Sequence, residues 1–203
     1  MKNLKRSVLT ILTCWVIAGI FSCKKQEATS APINQENKVF LKTYLDYNLY
    51  ESSFARIDID EDSVTDFTFK TTTENHNGYQ VIWYTLECAP DTQIETIDKH
   101  WGSSSSQKRI IGVSNPNKSI LWKNELVYLL QKTVYDNGTV YRQGQLNQSA
   151  NEYIGVRIFR KGGYYYGWLQ LSHKGISSGS DVIFLTRSAV SKTSDNPIQT
   201  HLR

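Results

Sequence analysis

Tyr153-Ile154-Gly155-Val156-Arg157-Ile158-Phe159-Arg160, then Lys161-Gly162-Gly163, then Tyr164-Tyr165-Tyr166-Gly167-Trp168-Leu169-Gln170-Leu171-Ser172 is the stretch that decides the fold. Its two flanks concentrate β-branched and aromatic side chains, which fit a pleated, half-buried surface. The middle three residues tolerate the positive φ that a tight reversal demands. The segment therefore reads as a β-hairpin, and its alphabet recurs through the chain. Further strands are expected at Leu41 to Tyr50, Ala55 to Ile59, Asp66 to Thr73, Tyr79 to Glu87, Arg109 to Val113, Leu126 to Tyr135, Thr139 to Gln143 and Asp181 to Thr186. Asn75-His76-Asn77-Gly78 and Asp136-Asn137-Gly138 supply two more hairpin turns. About ten strands with little helical periodicity predict an all-β fold, an antiparallel β-sandwich of jelly-roll-like type.

One short helix is expected at Thr92 to His100. Thr92 with Glu95 three residues on makes a capping box, Pro90 lies upstream, and Ile94, Ile97 and Trp101 share a helical face. Gly102 would end it, and Ser103-Ser104-Ser105-Ser106-Gln107 reads as a low-complexity loop. No second boundary, repeat or heptad interrupts residues 39–203, which read as a single domain.

Upstream of that domain the chain changes character. Met1 to Arg6 is cationic and Val8 to Phe21 apolar, a run shorter than the ~20 residues of a spanning helix. It closes on Ile20-Phe21-Ser22-Cys23, which resembles a bacterial lipobox: residues 1–22 would be a signal peptide, and Cys23 the acylated N-terminus, carrying diacylglycerol and palmitate. Several acyl chains on one cysteine, each buried methylene worth about 0.8 kcal/mol, hold a protein to a membrane. Residues 24–38 lack aromatics and read as a flexible tether completing the 23–38 segment. The Ser-Cys-Lys-Lys junction resembles lipoproteins of the Bacteroidota, and Lys24 is not the Asp that favours inner-membrane retention. The expected address is therefore the outer membrane, facing periplasm or cell surface.

Loss of the signal also removes three of the 23 Lys and Arg residues against 19 Asp and Glu, so the formal charge of +4 shrinks towards neutrality. No basic footprint for nucleic acid remains. Of three cysteines, Cys14 leaves with the signal and Cys23 is lipidated. Cys88 follows the apolar run Val81 to Leu86, so no internal disulfide is expected and the thiol reads as a small buried residue rather than a reactive one.

The motif with most chemistry is Asp58-Ile59-Asp60-Glu61-Asp62-Ser63-Val64-Thr65-Asp66. Between Arg56 and Lys70 there is no base to offset these acids. Asp58, Asp60, Asp62 and Asp66 stand at places one, three, five and nine of a calcium loop, with the carbonyl of Val64 at seven. Ser63 stands where such loops have the Gly of the sharp turn, and Phe69 where they have a bidentate Glu, both of which weaken affinity. Two readings follow: a structural calcium site between strands, or a solvated acidic turn.

Three segments carry a family resemblance. Tyr44-Leu45-Asp46-Tyr47-Asn48 with Ile57 to Phe67, the pair Tyr153 to Phe159 and Tyr165 to Leu171, and Ala189-Val190 through Asn196-Pro197-Ile198 resemble a poorly characterised family of exported β-proteins. Its members carry PEP-CTERM or type IX sorting signals, or lipid anchors. The resemblance spans most of residues 44–198 and implies a β-sandwich at the cell surface with no known enzyme activity.

Function classes then separate by chemistry. A non-catalytic binding or structural domain on the envelope, meeting an envelope protein or a glycan, is the expectation. A carbohydrate-binding module is the alternative, using Trp83, Trp101, Trp122, Trp168 and the Tyr164-Tyr165-Tyr166 hairpin, although sandwich strands also use such rings for packing. A hydrolase is weaker, because His76, His100, His173 and His201 lack a nucleophile or metal motif beside them. A buried His bonded to a carboxylate would be its mark.

Overall fold

The computed structural model describes residues 38–49, 54–97, 101–112, 120–146, 151–175 and 181–201. The signal, Cys23 and the tether lie outside the described residues. The strands are β1 Val39–Asn48, β2 Ala55–Ile57, β3 Phe67–His76, β4 Tyr79–Cys88, β5 Thr92–Thr96, β6 Ser104–Ser105 and β7 Ile110–Ile111. They continue as β8 Leu121–Lys123, β9 Val127–Tyr135, β10 Val140–Gln143, β11 Glu152–Arg160, β12 Gly163–Gly175, β13 Asp181–Ser191 and β14 Ile198–Gln199. A seven-stranded sheet runs β1-β13-β12-β11-β5-β8, with β6 also on β11, and packs on a five-stranded sheet, β10-β9-β4-β3-β2. Within this all-β sandwich, β3–β4, β9–β10, β11–β12 and β12–β13 are hairpin neighbours in one sheet. The connectivity is therefore meander-rich, where a jelly roll would interleave its strands.

The hairpin that opened the sequence reading forms as its turn chemistry requires. Arg160 pairs with Gly163, and Lys161 and Gly162 between them have φ of 49° and 80°, the two positive values of a type I′ turn. Alternation then sorts the side chains. Ile154, Val156 and Ile158 of β11 and Leu169 and Leu171 of β12 enter the space between the sheets, meeting Phe67, Phe69, Ile82, Tyr84 and Leu86 of β3 and β4. Each such side chain contributes about 1.5–3 kcal/mol when fully buried.

The outer face of the seven-stranded sheet is also partly dry. The two-stranded β7–β14 ribbon lies over Tyr153, Trp168 and Ala189, adding Ile111 and Ile198 to a second apolar cluster. The Trp168 indole N–H donates to the Gln199 carbonyl at 3.1 Å, which satisfies the one polar atom that burial would otherwise strand.

The expected helix at Thr92 to His100 is not there: Thr92–Thr96 is strand β5, and residues 98–100 lie outside the described residues. Ile94 sits opposite both Val156 of β11 and Lys123 of β8. The supposed capping groups have other work. The Thr92 hydroxyl donates to the Asp66 and Ala89 carbonyls, both at 2.9 Å, and the Glu95 carboxylate meets Arg109 Nη1 at 2.7 Å. Two waiting strand edges outweighed a local propensity worth only tenths of a kcal/mol per residue. Ser104–Ser105, expected as loop, pairs with the Tyr153 end of β11.

Candidate functional site

The acidic segment joins β2 to β3 and is pinned at both ends. The Asp66 N–H donates to the Ile57 carbonyl at 2.9 Å, the Asp66 carbonyl accepts from Ala89 N–H at 2.9 Å, and the Ile59 side chain is buried in the main core. Between these anchors the loop folds around its own carboxylates. Asp58 accepts from the Glu61 and Ser63 backbone N–H groups at 2.7 and 2.9 Å. Asp62 accepts from Val64 N–H at 2.9 Å, and Asp66 from Ile59 N–H at 2.8 Å.

Ser63 has φ of 69°, so it adopts the left-handed conformation that calcium loops assign to Gly at place six; Glu61 is also left-handed, at 64°. Such a conformation costs an L-residue about 1–2 kcal/mol. Asp58, Asp60 and Asp66 each offer one carboxylate oxygen to a group whose members lie within 4.8 Å of one another. Asp62 stands apart from this trio. One of its oxygens holds Val64 N–H, and the other meets Arg160 Nη1 at 2.8 Å. The Val64 side chain is exposed.

Sequence reasoning missed Arg160. It ends β11, about a hundred residues away, and its guanidinium bonds Asp60 and Asp62 through Nη1 and reaches Asp66 at 3.4 Å through Nη2. The signal was the missing base between Arg56 and Lys70: clustered acids need a cation, and the sequence did not say from where. Burial pushes the Asp66 carboxyl up to about 7, only partly offset by the Ile59 N–H, and burial likewise raises Asp60 despite Arg160 beside it. Asp60 Oδ1 is buried without a hydrogen-bond partner. Carboxylate oxygens grouped in this way are the ligand type that hard divalent cations take.

Beside the loop opens a cleft of about 350 Å³, sharing Asp60, Asp62 and Arg160 with it and adding Lys161, Lys192 and the rings of Phe40 and Tyr165. Register brings these together: Phe40 of β1 pairs with Val190 of β13, next to Lys192, and the β11–β12 turn supplies Lys161.

The other sequence candidates resolve differently. Trp168 is fully buried. Trp122 and Tyr164 hold the Arg157 guanidinium between their rings at 4.5 and 3.8 Å. Trp83 and Trp101 flank Tyr128 at 4.8 and 6.0 Å, tilted by 51° and 56°, so these rings pack on one another rather than forming one flat platform. Cys88 is half-buried: its thiol donates to the Lys123 carbonyl at 3.5 Å, and burial pushes it up to about 11, far from the thiolate that reactivity requires.

His173 does meet a carboxylate, Asp181, at 2.7 Å, with both side chains sealed from solvent. The same carboxylate takes Arg142 Nε at 2.8 Å and Lys132 Nζ at 3.2 Å. Lys132 and Arg142 come from the five-stranded sheet, His173 and Asp181 from the other, so the cluster is a latch between sheets. His100 lies outside the described residues.

Comparison with protein-family models, with curated proteins and with solved structures gave no match, so a functional reading rests on the residues of this chain.

Proposed function

We propose that this chain is a lipid-anchored cell-envelope protein, held to the outer membrane through Cys23, whose β-sandwich is a non-catalytic binding or structural module braced by calcium in the Asp58–Asp66 loop. The observation that carries the calcium reading is the convergence of Asp58, Asp60 and Asp66 around a left-handed Ser63. Asp62 and the Val64 carbonyl complete the donor set in this reading. Calcium then replaces Arg160 as the counter-charge of the loop.

Thermal melts of the full chain in mild detergent, with millimolar calcium and with EDTA, test it. A cation that binds only the folded state at a hundred times its Kd stabilises by about 2.7 kcal/mol. The melting temperature should rise with calcium, and Asp60→Ala plus Asp62→Ala should abolish the rise. An equal melting temperature in both buffers would leave Arg160 as the counter-ion of Asp60, Asp62 and Asp66. The anchor has its own check: Cys23→Ala should lose labelling by a palmitate analogue and leave the membrane fraction.

A further inference from the structure

The cleft beside the acidic loop has a chemistry that calcium bracing does not use. Lys161 and Lys192 both line it, both are exposed, and neither has a carboxylate partner among the described residues. Lys192 Nζ lies 4.9 Å from the Phe40 ring, which is 41% exposed and so offers part of its surface to the cleft. Asp62, with about a third of its side chain in solvent, adds a hydrogen-bond acceptor. Three bases against two acids leave the lining net positive.

Each feature removes a class of occupant. Two lysines without a carboxylate partner among the described residues disfavour a cationic ligand, and five charged side chains disfavour a purely apolar one. A free phosphate would prefer a bidentate arginine, but Arg160 is already engaged by three aspartates, and with about two negative charges the phosphate meets more repulsion from Asp60 and Asp62 than a single carboxylate does. What remains is a ligand with an anionic group for the lysines, a ring face for Phe40 and a hydroxyl donor for Asp62. The volume lies in the ~300–1,000 Å³ range of small-molecule sites.

We propose that this cleft binds an acidic saccharide, a pyranose unit bearing a carboxylate. Lys161 and Lys192 take the carboxylate, Phe40 stacks on the ring, and Asp62 accepts from a hydroxyl. This rests on the reading of the domain as a binding module, and not on the calcium site, since both lysines are in place without an ion.

The test is calorimetric titration of the full chain in mild detergent with trigalacturonate and, as its neutral counterpart, galactotriose, in EDTA at physiological salt. Trigalacturonate should bind at least about tenfold more tightly, and Lys161→Gln plus Lys192→Gln should weaken it by about tenfold or more. The melting temperature of that variant should stay unchanged, because the lysines are exposed. Phe40→Ala should weaken both sugars. Absence of trigalacturonate binding at millimolar concentration, equal binding of the two sugars, or wild-type affinity in the double-lysine variant would each overturn the proposal. Because EDTA is present throughout, these outcomes do not depend on the calcium melts, and a failed calcium melt leaves them standing.

Discussion

Ser63 shows how much a single residue can hold back. Its φ of 69° is a left-handed conformation held without glycine, the residue that adopts it freely. Gly there removes the clash between Cβ and the carbonyl oxygen at some cost in unfolded-chain entropy. Ser63→Gly is therefore expected to stabilise the domain by about 0.5–1 kcal/mol, read as a higher urea midpoint in EDTA, and to lower the calcium concentration at which the melting temperature rises. A lower midpoint would mean that the Ser63 side chain contributes more than its strain costs. That Ser stands where a calcium loop has Gly was legible in the sequence; that Ser63 is nevertheless left-handed was not.

At the scale of elements, β11 carries the fold's junctions. It pairs with β12 on one side and with β5 and β6 on the other, and Gly155 lies where the Glu95 carboxylate crosses it. A Cβ at Gly155 would stand 2.2 Å from Glu95 Oε2. Gly155→Ala must then push a buried carboxylate away from Arg109, and a loss of about 2 kcal/mol or more is expected in denaturant unfolding. A change under about 0.5 kcal/mol would show that Glu95 can swing aside. The same element explains two misread segments, Thr92–Thr96 and Ser104–Ser105, which both pair with it as strands. Thr92-Gln93-Ile94-Glu95 has the polar spacing of a helix start, yet Glu95 is polar because it answers Arg109, and Thr92 because it bonds the Asp66 carbonyl. Local pattern cannot distinguish a capping glutamate from one that pairs across a sheet. By contrast, the other candidate strands each overlap an observed one, since alternation and turn residues are short-range signals.

Across the whole molecule, the sheets are joined by apolar packing and by the Asp181 latch. Burial by itself would raise the Asp181 carboxyl, but His173, Arg142 and Lys132 bring it down to about 2. An acid with a folded value below its unfolded 3.8 stabilises above that value and loses the contribution as pH falls through the folded one. Between about pH 4 and pH 2 the domain should thus lose about 2 kcal/mol from this group. Urea midpoints across that range check it: Asp181→Asn should be less stable at neutral pH and flatter on the acid limb. Parallel acid limbs would assign the loss to other carboxylates.

The sequence by itself determined the all-β class, the hairpins, and a loop of acids spaced for convergence, because periodicity, turn residues and charge spacing act over a few neighbours. Only the tertiary structure decided that Thr92–Thr96 is a strand, that Arg160 answers the acidic loop, that Phe40, Lys161 and Lys192 share a cleft with it, and that His173 meets Asp181 inside a latch. Those contacts join residues far apart in the chain, and sheet pairing and burial, which set them, leave no local mark on the side chains they bring together.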